Sequence, residues 1–72
     1  MNNHVIGINA GIIWHLLCGE PRLNYETLRK EAQLNEKEFA AALGWLAREG
    51  QIEFYEQEEE LYISLKCNVF FG

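Results

Sequence analysis

Residues 24 to 52 read NYETLRKEAQLNEKEFAAALGWLAREGQI, and the spacing within that stretch decides the fold. Leu28 and Ala32 lie one turn apart on a helix expected over about Tyr25 to Ala32, which Asn24 is placed to cap. Leu34 fills the turn after it. Asn35 opens a further helix, with Glu38 three residues on completing a capping box in which Asn replaces Ser or Thr. That helix, Glu36 to Glu49, gathers Phe39, Ala42, Leu43 and Leu46 on one face and Lys37, Ala41, Gly44, Trp45 and Arg48 on the other. Gly50 stops it.

Beyond Gly50 the period changes from helix to strand. Ile52 and Phe54 alternate with Glu53 and Tyr55, while Leu61, Ile63 and Leu65 alternate with Tyr62, Ser64 and Lys66, which predicts two half-buried strands joined at Gln57 to Glu60. The last residues, 67 to 72, include Val69, Phe70 and Phe71. They are too apolar for a frayed tail and are expected to dock on something.

Working back toward the amino terminus, a helix is expected over 3 to 18. Val5, Ile6, Ile8, Ala10, Ile12, Ile13, Trp14, Leu16 and Leu17 cover roughly two thirds of a helical wheel, interrupted by Asn9. A helix so widely apolar is buried on two sides, and a short chain has little else to cover both. A homodimer follows as an expectation, with Ile6, Ala10, Ile13, Trp14, Leu17, Phe70 and Phe71 at its interface. The remaining face holds His4, Gly7, Gly11, His15 and Cys18. Glycines four apart let another backbone approach; alternatively Gly7 frays or bends the first turn. Gly19-Glu20-Pro21 ends the helix, and Leu23 falls in a very short strand expected at a sheet edge.

At 72 residues, with 49% hydrophobic and 24% charged residues, the chain supports one small core and buries only about 60% of its unfolded surface. No apolar run is long enough to span a bilayer, and no basic residue precedes the first apolar run as in a secretory signal, so no membrane partner and a cytoplasmic location are expected. Cys18 and Cys67 then read as reduced structural thiols, with a disulfide as the alternative. All eleven acidic residues are Glu, and the net charge is −5. Position matters more than the total: Glu53, Glu56, Glu58, Glu59 and Glu60 face only Lys66 in the hairpin, while the helical part is close to neutral.

The run Thr27-Leu28, Leu34-Asn35-Glu36-Lys37-Glu38-Phe39, Ala42-Leu43, Leu46-Ala47-Arg48-Glu49-Gly50-Gln51-Ile52 resembles the helix-turn-helix and wing entry of winged-helix proteins. With Ile6-Gly7-Ile8-Asn9-Ala10-Gly11 and Trp14, and with Ala42-Leu43-Gly44-Trp45-Leu46-Ala47, the chain resembles short stand-alone bacterial winged helix-turn-helix proteins of unknown function. The resemblance implies one α+β domain over 1–72: helix one over 3–18, a helix-turn-helix over 24–50, a wing over 51–66 and an apolar tail over 67–72. Two positions depart from the pattern. Arg29 stands where Ala is usual, and Gln33 where Gly or Asn is frequent.

In DNA-binding winged helices the last helix enters the major groove, which carries a contact role onto Lys37, Ala41, Gly44, Trp45 and Arg48. Only Lys37 and Arg48 among these donate to phosphate or guanine, and the Glu-rich wing tip would face a polyanion. The same positions suit a protein contact if Trp45 points outward between Ala41 and Gly44. Otherwise Trp45 tucks under the wing against Tyr55 or Tyr62 as ordinary core. His15 and Cys18 lack two further ligands for structural zinc, and His4 lies about 16 Å from His15 along the helix, so no metal is expected. Neither a nucleophile with a positioned base nor a walled carboxylate pair is visible, so no catalysis and no cofactor are expected. The reading favoured is a non-catalytic, homodimeric interaction or regulatory module open to a protein partner, with DNA binding as the alternative.

Overall fold

Side-chain caps place the helices. Asn2 accepts from the Val5 N–H, Asn24 from the Glu26 and Thr27 N–H groups, and Asn35 from the Glu38 N–H while Glu38 returns a carboxylate to the Asn35 N–H. In the computed structural model, which describes residues 1–20 and 22–66, these caps open α1 (Asn3–Cys18), α2 (Tyr25–Ala32) and α3 (Glu36–Arg48). The strands are β1 (Leu23–Asn24), β2 (Ile52–Gln57) and β3 (Glu60–Leu65). They form one antiparallel sheet in the order β1-β3-β2, so the two-residue β1 does lie at an edge.

The end of each helix in the helix-turn-helix uses the same left-handed device. Gln33 has φ 59° and Gly50 has φ 72°. In both cases the next residue's N–H reaches back five positions, Leu34 to the Arg29 carbonyl and Gln51 to the Leu46 carbonyl. Gly50 takes this conformation freely, whereas Gln33 carries a Cβ into it. Arg29 compensates at the same turn: its guanidinium donates to the Leu34 carbonyl at 3.4 Å and to Glu26 at 3.0 Å, and lies 3.6 Å from Glu36. The departure from Ala at this position thus ties α2 to the first residue of α3.

One core unites the elements. Ala10, Ile13 and Leu17 of α1 meet Phe39, Ala42, Leu43 and Leu46 of α3, with Leu28 and Ala32 of α2 and Ile52 and Ile63 of the sheet closing the remaining sides. This corrects an expectation for α1. Ala10, Ile13 and Leu17 are enclosed within one protomer and are not free to meet a second, because they occupy the stripe that faces α3. Ile6 borders that stripe half-buried, and Asn9 is buried beside it. Among the described residues the opposite flank is uncovered: Ile8 is 53% exposed, Ile12 39% and Trp14 38%. Phe54 is also more exposed than its alternation predicts, at 43%, although it shares the inner face of β2 with buried Ile52. Helix α3 ends at Arg48, with Glu49 as its cap. Cys18 is a free, exposed thiol rather than a packed one. Cys67, Val69, Phe70 and Phe71, for which docking was expected, lie outside the described residues.

Tyr25 packs edge-on against Phe39 with ring centroids 4.9 Å apart. Its hydroxyl is held above the ordinary value of 10.0, by burial first and then by the Glu36 and Glu26 carboxylates, with Arg29 opposing. The folded chain therefore gives up this proton less readily than the unfolded chain, and the associated stability is present below about pH 10 and lost as pH rises through the folded value. Alkaline denaturation followed by circular dichroism is expected to show a steeper loss above about pH 10 for the native chain than for Tyr25→Phe. At the turn, releasing a left-handed residue costing about 1–2 kcal/mol outweighs the added chain entropy of glycine, so Gln33→Gly is expected to stabilise by roughly 0.5–1 kcal/mol. Asn35→Ala loses the capping box and is expected to destabilise by about 1 kcal/mol, both read from urea unfolding midpoints.

Candidate functional site

With its inner face committed to the core, α3 turns Lys37, Ala41, Gly44, Trp45 and Arg48 outward. Lys37, Gly44 and Arg48 are exposed, Ala41 is half-buried, and Trp45 is 39% exposed. Ala40 and Ala47 extend the same surface. A Cβ built on Gly44 meets no heavy atom within 4 Å, so nothing among the described residues requires glycine there. The result is a shallow strip of small side chains, a cation toward each end and one indole on its border.

Trp45 is not under the wing. Tyr55 and Tyr62, paired across β2 and β3, stack on each other instead, at 18° with centroids 6.4 Å apart. The Arg22 guanidinium covers both rings, 5.7 Å from the Tyr55 centroid and 5.2 Å from that of Tyr62. This cluster is the main grouping that sequence reasoning missed. Alternation placed both tyrosines on the outer sheet face, but nothing local specifies that residue 22 lies over residues 55 and 62, because that depends on the register of β1 against β3.

The wing tip is a two-residue turn, since Gln57 pairs with Glu60. Glu58 and Glu59 both adopt positive φ, 54° and 67°, the requirement of a type I′ hairpin that Asn-Gly meets best. Their carboxylates are exposed beside Glu56 and Glu60, and Glu60 accepts a hydrogen bond from the Asn24 side-chain amide across the sheet. The four glutamates are thus displayed on the wing rather than neutralised within it.

His4, His15 and Cys18 are exposed on α1, and no set of three His, Cys, Asp or Glu residues converges among the described residues. The His15 ring lies edge-on to Trp14, with centroids 5.7 Å apart. No helix among the described residues is long and apolar enough to cross a membrane.

Three helices, a three-stranded antiparallel sheet and a β2–β3 hairpin following α3 are the parts of a winged helix, and the winged helix-turn-helix domain family (DUF2582) matches residues 1–65. The chain belongs to that family. Its fold is shared by protein BT2368 from Bacteroides thetaiotaomicron, solved by solution NMR: TM-score 0.80, 29% identity, with 90% of this chain and 79% of that one covered. No curated protein matches the chain. The family match ends one residue before Lys66, so the α3 surface, the wing and α1 lie within it and the apolar tail beyond it.

The strained acidic tip yields a test of its own. Replacing Glu58→Asn together with Glu59→Gly removes one left-handed Cβ, puts at the other position a residue that tolerates that conformation, and removes two like charges; it is expected to raise stability by about 1–2 kcal/mol. Thermal melts at low and high salt would separate the parts: the charge contribution shrinks with salt, while the backbone contribution persists.

Proposed function

We propose that this winged helix-turn-helix domain is a non-catalytic interaction module with a regulatory role, which self-associates and presents the outward face of α3 to a protein partner. The observation that carries this reading is Trp45, 39% exposed at the border of a strip formed by Ala40, Ala41, Gly44 and Ala47. An indole contributes strongly when a contact desolvates it, and small neighbours allow a partner's backbone or side chains to come close around it. Direct readout of bases needs side chains that reach into the groove, and this strip offers two, Lys37 and Arg48. The exposed glutamates of the wing tip work against any polyanion that reaches the wing.

DNA binding is the second reading, favoured by one observation: Lys37 and Arg48 are both exposed on the helix that winged-helix regulators insert into DNA. The two readings part on salt. Titration of random-sequence duplex at low ionic strength is expected to give no saturation below millimolar concentration. Micromolar binding that weakens steeply with salt, with a slope reduced by about two in the double variant Lys37→Ala, Arg48→Ala, would replace the interaction reading with the DNA reading.

A further inference from the structure

Strand β2 lies at an edge of the sheet, and its outer main chain has no partner among the described residues. The Lys66 N–H donates to the Gln51 carbonyl at 2.9 Å, and Gln57 pairs with Glu60 across the two-residue turn. Hydrogen-bonded pairs alternate along an antiparallel ladder, so Glu53, Tyr55 and Gln57 turn their N–H and C=O groups toward β3. Those of Ile52, Phe54 and Glu56 point the other way, to the open edge. Such a row of unpaired groups is a template for one more strand.

The side chains select which strand fits. Phe54, on the inner face of β2, is 43% exposed, and among the described residues no other large apolar side chain of the sheet is as open. Glu53 and Glu56 on either side of it are exposed, Tyr55 is half-buried, and β2 contains no Lys or Arg. A strand added along this edge sets one residue opposite Phe54 on the inner face and turns that residue's two neighbours to the outer face, opposite Glu53 and Tyr55. An apolar residue flanked by Lys or Arg answers all three positions: it covers the phenyl ring, pairs an ion with Glu53 and lays a cation against the Tyr55 ring. Charge excludes a second copy from the same place. Two β2 edges would bring the Glu53 and Glu56 of both copies together with no cation between them, and like charges across a strand pair are destabilising.

We propose that the free edge of β2 captures an extended segment of another protein by strand addition, and that this segment alternates apolar with Lys or Arg residues. Main-chain bonds to Ile52, Phe54 and Glu56 hold it, while Phe54 and Glu53 choose its side chains. The site uses none of the α3 residues on which the function proposed above rests, so either can fail without the other.

Titration of a capped synthetic peptide of alternating Lys and Val into the full chain, with amide exchange followed by NMR, tests it. In the free chain the Phe54 and Glu56 N–H groups are expected to exchange fast and those of Glu53 and Tyr55 slowly. Saturating peptide is expected to slow exchange at Phe54 and Glu56 by roughly tenfold or more. The residue opposite Phe54 turns its own N–H to β2, so N-methylation of the Val residues is expected to abolish binding and N-methylation of the Lys residues to preserve it. Phe54→Ser and Glu53→Lys, both at exposed positions, are expected to weaken binding by roughly fivefold or more, with circular dichroism unchanged. Equal affinity of the two methylated peptides, or equal loss, overturns strand addition, because attraction to the glutamates alone does not depend on which N–H is blocked. Slow exchange at Phe54 and Glu56 in the free chain overturns the open edge. A peptide that fails to bind at low salt overturns the proposal as well.

Discussion

The contact between α1 and α3 is the constraint from which the rest of the molecule follows. Ala10, Ile13 and Leu17 meet Phe39, Ala42, Leu43 and Leu46, and burying each of the larger side chains contributes about 1.5–3 kcal/mol in a domain whose total stability is of the same order as a few such terms. Once this face of α3 is committed, the opposite face must point outward, which is why Lys37, Gly44, Trp45 and Arg48 reach the surface together. The same commitment on α1 leaves Ile8 and Ile12 behind. Among the described residues, one layer covers α1 and none lies against its other flank.

Local signals then fix how the elements enter that contact. Three Asn caps set where the helices begin, and two left-handed residues set where α2 and α3 stop. The turn between α2 and α3 tolerates Gln33 because the strain of one backbone position is small beside the Arg29 bonds to Leu34 and Glu26 and its approach to Glu36. The wing tip has no such support. Glu58 and Glu59 combine left-handed backbone with mutual repulsion, so the hairpin is held by its ladder and by the Arg22, Tyr55 and Tyr62 cluster rather than by its turn.

Most of the fold was legible because the signals that specify it are local. The Asn35 and Glu38 capping box, the Phe39 to Leu46 stripe and the alternation of Leu61, Ile63 and Leu65 each act within a few residues and agree with one another. What was not legible is set by tertiary arrangement. Periodicity showed that α1 is apolar over most of its circumference, but not which side α3 would take, and so Ala10, Ile13 and Leu17 were expected at an interface that their burial rules out. Phe54 shares the inner face of its strand with buried Ile52 as alternation requires, yet it is 43% exposed, which alternation alone does not foretell. On α3 the helical period placed Lys37, Gly44, Trp45 and Arg48 on the outward face, while the exposure of Trp45 depends on tertiary packing that the period does not carry.

The surface that remains is divided by charge in a way that separates the possible partners. The wing concentrates carboxylates at its tip, α3 offers a small-residue strip with two cations and an indole, and α1 offers an uncharged apolar ridge. A polyanion gains from two cations on α3 but must approach four exposed glutamates on the wing, and both terms scale with ionic strength in the same direction while opposing each other in sign. An apolar contact at Trp45 or along α1 bears neither cost. Burial of apolar surface is insensitive to the sign of the charge that the wing carries.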